Sequence, residues 1–106
     1  MDFQRVYKYG KSTANRQFVL HTLENPVTEH FRLGISVSKK VGNAVVRNRM
    51  RRVVKEIVRE LAPRIVKHVD MVIVVRKAAL GMNYDELRKS VIHVMRRASM
   101  LKREPS

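Results

Sequence analysis

Cysteine is absent from this 106-residue chain. That excludes a disulfide scaffold and a cysteine-based zinc site, and it fits a reducing cytoplasm, the expected location. Acidic residues are scarce: 9 Asp and Glu stand against 23 Lys and Arg, a formal net charge of +14. No apolar run approaches the roughly 20 residues needed to span a bilayer; an anionic membrane surface is the rival polyanion for so basic a chain, and the expected reading has no membrane partner. No apolar h-region follows Met1-Asp2, so no signal peptide is read. None of His21, His30, His68 and His93 stands three or four residues from another, so a helical metal pair is missing. Asp2, Asp70 and Asp85 are dispersed, so no carboxylate cluster is available for catalytic metal ions. Repeats, linkers and low-complexity tracts are also missing. What is left is one small domain over residues 1–106, with a modest core, no metal site and no catalytic residue of its own.

The excess of positive charge costs folding stability through self-repulsion unless a polyanion is usually nearby, and nucleic acid is the commonest such partner. The pattern along the chain supplies the elements. Asp2 to Tyr9 reads as a short helix with Phe3, Val6 and Tyr7 at helical spacing and Gly10 as its stop. Lys11 to Asn15 is polar and reads as a turn, and Phe18 to Leu23 reads as a strand. Asn25-Pro26 marks a turn. From Phe31 to Ser38 the chain alternates, with Phe31, Leu33, Ile35 and Val37 on one face and Arg32, Gly34, Ser36 and Ser38 on the other. The first face belongs to a core; the second is thin and polar, with room for something large.

Asn43 is the expected N-cap of a long helix that runs to about Leu61, before Pro63. Asp70 to Val75 holds an unbroken apolar run typical of a buried strand. Gly81 turns the chain, and Asn83 with Glu86 forms the sequence signature of a capping box. The last helix has Leu87, Val91, Val94, Met95, Ala98 and Leu101 as its apolar side, and residues 102–106 are expected to fray. Helix, strands, helix, strand, helix is the order of an α+β sandwich.

The informative stretch is Lys39 to Lys55, with seven basic residues and no acidic one. Drawn as a helix, Val46, Met50, Val53, Val54, Ile57, Val58 and Leu61 share one arc. Arg47, Asn48, Arg51, Arg52, Lys55 and Arg59 share another, while Glu56 and Glu60 fall on the far side near Arg49. An ordinary solvated face mixes signs, because i,i+4 ion pairs support the helix. Here Arg47, Arg51, Lys55 and Arg59 form a like-charged row, which costs a few tenths of a kcal/mol per pair until phosphates neutralise it. Arg in place of Lys favours forked contacts to phosphate or base edges. Phe3 and Tyr7, four apart, are either core or the lining of a groove where an unpaired base stacks.

The run Lys40-Val41-Gly42-Asn43-Ala44-Val45-Val46-Arg47-Asn48-Arg49-Met50-Arg51-Arg52 closely resembles the signature of the ribonuclease P protein family, whose hallmark is Arg-Asn-Arg in this frame. Phe3-Gln4-Arg5-Val6-Tyr7, Ala14 to Leu20 and Arg32 to Lys40 resemble the same family in the same order, so the likeness covers nearly the whole chain. The resemblance implies an α+β fold of αβββαβα order: a sheet packed on helices, a further short strand before or around Phe18, and a left-handed βαβ crossover instead of the usual right-handed one. It implies an RNA-binding subunit of ribonuclease P, which assists endonucleolytic maturation of the tRNA 5′ end. The expected partners are the catalytic RNA of that ribonucleoprotein and the 5′ leader of precursor tRNA, with no protein oligomer required. No cofactor is expected on the protein, and Mg²⁺ is expected in the RNA active site.

Carried over residue by residue, Arg47, Asn48, Arg49, Arg51, Arg52 and Lys55 face RNA, continued by Arg59, with Lys39 and Lys40 at the start of that helix. Phe3, Tyr7, Phe18 and His21 line the leader cleft, and the thin face of Arg32 and Ser36 suits an extended strand laid across a sheet. Two departures stand out. Relatives carry a basic stretch of some ten residues before Asp-Phe, which is missing ahead of Asp2-Phe3, and often have Tyr where this chain has His21. A ribosomal or ribosome-assembly protein, a self-sufficient nuclease and a DNA repressor are the alternative readings.

Overall fold

Polar side chains start each helix, and apolar spacing decides which side it buries. In the computed structural model, which describes residues 1–102, Asp2 caps α1 (Phe3–Tyr9) by accepting from the Arg5 N–H at 3.3 Å. Three strands follow, β1 (Lys11–Ala14), β2 (Phe18–Glu24) and β3 (Arg32–Val37), then α2 (Ala44–Leu61), β4 (Val69–Val75) and α3 (Tyr84–Arg97). The order is αβββαβα. The Asn43 side chain caps α2 by accepting from the Val46 N–H at 3.0 Å, and Asn83 with Glu86 closes a reciprocal capping box on α3. Each such cap is worth about 1 kcal/mol. Pro63 lies in a 3-10 turn, Ala62–Arg64, that ends α2.

The strands form one mixed sheet in the order β1-β2-β4-β3. β1 with β2 and β2 with β4 are antiparallel, and β3 with β4 is parallel. Parallel neighbours need a long crossover, and α2 supplies it. Register then assigns every side chain to a face. Phe18, Leu20 and Thr22 stand level with Val75, Ile73 and Met71, and these with Val37, Ile35 and Leu33. This face holds the core, closed by Ile57, Val58 and Leu61 of α2 and by Leu87, Val91, Val94 and Met95 of α3. Each fully buried aliphatic side chain contributes about 1.5–3 kcal/mol through area removed from water.

The opposite face carries Val19 and His21 on β2, Val72 and Val74 on β4, and Gly34 and Ser36 on β3. α1 lies across it, and Val6 and Val72 are buried there, apart from the main core. From Met71 to Val75 β4 is apolar because it is covered on both sides.

Two expectations need correcting. Lys11 to Asn15 is not a turn; Lys11–Ala14 is the edge strand β1, and the further strand implied by family resemblance is this one. Its side chains are mostly exposed, so it is held by backbone bonds to β2 and shows no apolar alternation. Residue 102 is not loose: the Lys102 N–H donates to the Arg64 carbonyl at 2.6 Å, next to the bridge between Ile65 and Leu101. The other residues expected to fray, 103–106, lie outside the described residues.

Candidate nucleic-acid interface

α2 sorts its residues as the wheel predicts. Met50, Val54, Ile57, Val58 and Leu61 are buried, with Val46 and Val53 half-buried. Asn48, Arg51, Arg52, Lys55 and Arg59 are exposed, and Lys39 and Lys40 are exposed in the turn before the helix. Arg47 is half-buried, its guanidinium donating to the Gly42 carbonyl at 2.9 Å. Arg51 donates to the Asn48 amide oxygen at 3.1 Å, which orients both side chains on the same face. Glu60 is turned away toward α3, where it accepts from the Tyr84 hydroxyl and from Arg88, each at 3.2 Å. Among the described residues no ion pair engages the cations of α2. The like-charged row therefore has no neutralising partner within the described chain, as a phosphate-binding face requires. Arg49 is exposed but apart from this row, lining a hollow with Met50, Met82 and Tyr84.

The second surface lies on the α1 side of the sheet. Phe3, Tyr7 and His21 form a row of rings, each nearly perpendicular to the next. The Phe3 and Tyr7 centroids are 6.4 Å apart, and those of Tyr7 and His21 are 4.7 Å apart. The row crosses the sheet at the level of Gly34, Val72 and His21, which are consecutive cross-strand partners. One register step further along lies a second rank, Ser36, Val74, Val19 and Ala14, none of them fully buried. Beyond that rank the strands end in exposed cations: Arg16 between β1 and β2, Lys39 and Lys40 after β3, Arg76 and Lys77 after β4. No acidic residue stands at 14–17, 38–49 or 75–79. The result is an open shelf with an aromatic wall on one side and a cationic rim on the other. An extended single strand has the matching chemistry, with π-faces for the wall and phosphates for the rim.

Local bonds hold the rim in place. The Asn15 amide oxygen accepts from the N–H groups of Gln17 and Phe18 at 3.1 and 2.8 Å, fixing the β1–β2 turn. The Asn15 amide nitrogen donates to the Ser90 carbonyl at 2.9 Å, tying that turn to α3. Arg76 donates to the Asn15 carbonyl at 3.2 Å, which places it beside Arg16.

Phe18 does not belong to this shelf. It is 0% exposed and faces the main core. Alternation along β2 puts residues an odd number apart on opposite faces, so Phe18 and His21 cannot share one. Arg32 is on the shelf face, but its guanidinium is committed. Its Nε and terminal nitrogen donate to the two Asp70 oxygens, each at 2.7 Å, and Asn25 donates to Asp70 at 3.1 Å. Arg32 thus clamps β3 to β4 where its register partner is Asp70, and it is not counted as a free cation of the cleft. The hydrogen bonds from Arg32 hold the Asp70 carboxyl below the usual carboxylate range, against the opposing effect of burial. Ser36, Tyr7 and Phe3 do line the shelf. Sequence reasoning missed Val19 and Val74 of its floor and Arg16, Arg76 and Lys77 of its rim. Their only signal was strand register, which the sequence does not display.

Partial burial lowers the pKa of His21 below the ordinary imidazole value of 6.5. At neutral pH it is therefore an uncharged ring against Tyr7, not a phosphate-binding cation.

A family model described as Ribonuclease P matches residues 1–99. The chain belongs to the ribonuclease P protein family. It is 47% identical over 105 residues to the ribonuclease P protein component of Listeria welshimeri, covering 99% of this chain and 88% of that one. It is 50% identical over 99 residues to that of Bacillus cereus strain AH187, covering 93% and 86%. Among solved structures, it matches the Staphylococcus aureus RNase P protein with a TM-score of 0.89 at 44% identity, over 95% of this chain and 92% of that one. The Thermotoga maritima RNase P protein matches with a TM-score of 0.84 at 33% identity, over 91% and 90%. As a ribonuclease P protein, the chain is part of an enzyme that processes tRNA. No helix among its described residues is long and apolar enough to cross a membrane. Among the same residues, no three His, Asp or Glu side chains gather to hold a metal ion.

Proposed function

We propose that this ribonuclease P protein holds two RNAs at once: the catalytic RNA on the cationic face of α2, and the 5′ leader of precursor tRNA on the shelf beside α1. The observation that carries this reading is the pairing of an aromatic row, Phe3, Tyr7 and His21, with a cationic rim across an open sheet face. A shelf of that kind suits single-stranded nucleic acid, while the cationic helix suits the phosphates of structured RNA. The protein itself supplies no catalytic group. Hydrolysis of a phosphodiester wants metal ions held by converging oxygens. The scattered carboxylates of this chain do not fit that requirement, whereas phosphate oxygens of the catalytic RNA do, so Mg²⁺ belongs there. The protein aids the reaction by positioning the leader and by screening repulsion between two RNAs.

The test is cleavage of one precursor tRNA by catalytic RNA alone, by protein alone and by both, across a Mg²⁺ series and two leader lengths. The protein alone is expected to leave the substrate intact. Its effect with the RNA is expected to be largest at low Mg²⁺ and to shrink when the leader is cut to one or two nucleotides. Cleavage by rigorously RNA-free protein, or a protein effect indifferent to both Mg²⁺ and leader, would overturn the reading.

A further inference from the structure

Gly34 stands in the middle of β3, where a glycine weakens the strand and gives nothing to pack. Its backbone does not need glycine: Gly81 is the described glycine with a positive φ, and Gly34 is ordinary extended chain. What the position needs is the missing side chain. A Cβ on Gly34 would lie 2.3 Å from Phe3 Cζ, 2.4 Å from Cε1 and 3.2 Å from Cε2. The Phe3 ring thus stands with its tip on the bare backbone of β3.

The other end of α1 is fixed more firmly. The Gly10 N–H donates to the Val6 carbonyl at 2.9 Å, and a Cβ on Gly10 would lie 2.4 Å from the Thr22 carbonyl oxygen of β2. Tyr7 meets His21 near that end, and Val6 is buried between the two ends. The helix is therefore seated at both ends of one rank of the sheet, Phe3 on Gly34 and Tyr7 against His21, with Val6 buried between them. A side chain at Gly34 would lift the Phe3 end by about 1 Å or more, the shortfall from ordinary carbon–carbon contact, with the Gly10 end as the pivot.

We infer that Gly34 is a positioning residue for the leader: by its lack of a side chain it sets the depth of Phe3 and with it the aromatic wall of the shelf. This rests on the leader reading given above. Gly34 does not touch the leader; it acts through Phe3. A purely structural role would show differently: Gly34→Ala would lower the melting temperature and weaken binding of long-leader and short-leader substrates alike.

The experiment uses the protein reconstituted with a bacterial catalytic RNA. The affinity for precursor tRNA is measured with a long leader and with a leader of one nucleotide, for the wild type, Gly34→Ala, Phe3→Ala and the double variant. Gly34→Ala is expected to lose about tenfold in affinity for the long-leader substrate, the scale of one base–aromatic stack, and little for the short one. Phe3→Ala is expected to lose a similar factor, and the double variant no more than Phe3→Ala alone. Full long-leader affinity in Gly34→Ala, losses that multiply in the double variant, or equal losses on both leaders would overturn the inference. If the wild type itself shows no dependence on leader length, the leader reading fails. If it shows that dependence while Phe3→Ala is without effect, the leader reading stands and this inference falls. Thermal melts accompany each variant. If Gly34→Ala is unfolded, it is combined with Phe3→Leu, whose shorter side chain leaves room. Recovery of the fold with long-leader affinity still reduced supports the inference, and failure to recover, or recovery with full affinity, overturns it.

Discussion

The two surfaces proposed to hold RNA are built in different ways. The cationic face of α2 comes from one continuous segment, Arg47 to Arg59, and needs only a helix to exist. The shelf draws on α1, on all four strands, and on the turns that end them, so it exists only when the sheet is in register. A local surface tolerates change residue by residue, because its side chains bond only to near neighbours in the chain, as Arg47 does to Gly42 and Arg51 to Asn48. An assembled surface depends on residues beneath it or bonded beside it, such as Gly34 under Phe3, the buried Val72 and the Arg32-bound Asp70.

The largest effect expected separates burial from charge on neighbouring residues of α2. Met50 is 6% exposed, and Met50→Glu buries a carboxylate against the core, costing more than about 4 kcal/mol and leaving little folded protein by circular dichroism. Arg51→Glu should leave the melt nearly unchanged and weaken binding to the catalytic RNA about tenfold, a charge-assisted contact turned repulsive. An unfolded Arg51→Glu beside a native Met50→Glu would reverse the helix register described above.

Salt sharpens the contrast next. With about six side chains on phosphates, the affinity of the α2 face for the catalytic RNA should fall with a slope of log K on log salt of about −4 to −5. The long-leader advantage should fall less steeply, since stacking on Phe3, Tyr7 and His21 carries part of it. Filter binding across a monovalent salt series measures both, and a flat response for the catalytic RNA would remove the electrostatic account.

Asp70→Asn probes the assembled surface from its supports. The Asp70 side chain is 6% exposed and that of Arg32 46%, so the pair is partly screened and its loss should cost about 1–2 kcal/mol at neutral pH. The folded-state pKa of Asp70 is lowered, chiefly by the Arg32 hydrogen bonds, so this stability is fully present above the ordinary value of 3.8 and is lost as pH falls through the folded value. Denaturant melts of the two proteins should therefore converge in acid. A difference that shrinks only above pH 3.8, or that is unchanged at every acid pH at which the fold survives, would mean that the Arg32 clamp is not its source.

The smallest effect concerns His21, whose lowered pKa keeps it neutral at pH 7. As pH falls below 6.5 toward that lowered value, protonation should add attraction for leader phosphates and raise long-leader affinity by a few-fold. His21→Tyr should keep the neutral-pH affinity and abolish the rise. Identical pH profiles in the two proteins would remove His21 from the shelf.

How much of this was legible in advance follows from the same contrast. The face of α2 was readable to the residue, because helical period ties position in the chain to position on the surface. The polar edge strand β1 was misread as a turn, because its outward side chains carry no apolar alternation. Family resemblance puts Phe18 in the cleft, whereas its odd spacing from His21 puts it on the opposite face, in the core. Alternation puts Arg32 on the thin polar face, but only the parallel pairing of β3 with β4 sets it opposite Asp70, 38 residues away, and commits its guanidinium.

By itself the sequence determined the charge, the lack of cysteine, the helix caps, the cationic row of α2 and the inward side of α3 from Leu87 to Met95. Each of these depends on composition or on neighbours within about a turn of the chain, where backbone geometry is nearly invariant. The tertiary structure alone decided that Ser36, Val74, Val19 and Ala14 share one rank, that Arg76 is bonded to the turn that carries Arg16, and that Phe3 rests on Gly34. These depend on strand order and register, which arise from packing both faces of β4 at once and leave no periodic mark in any one segment.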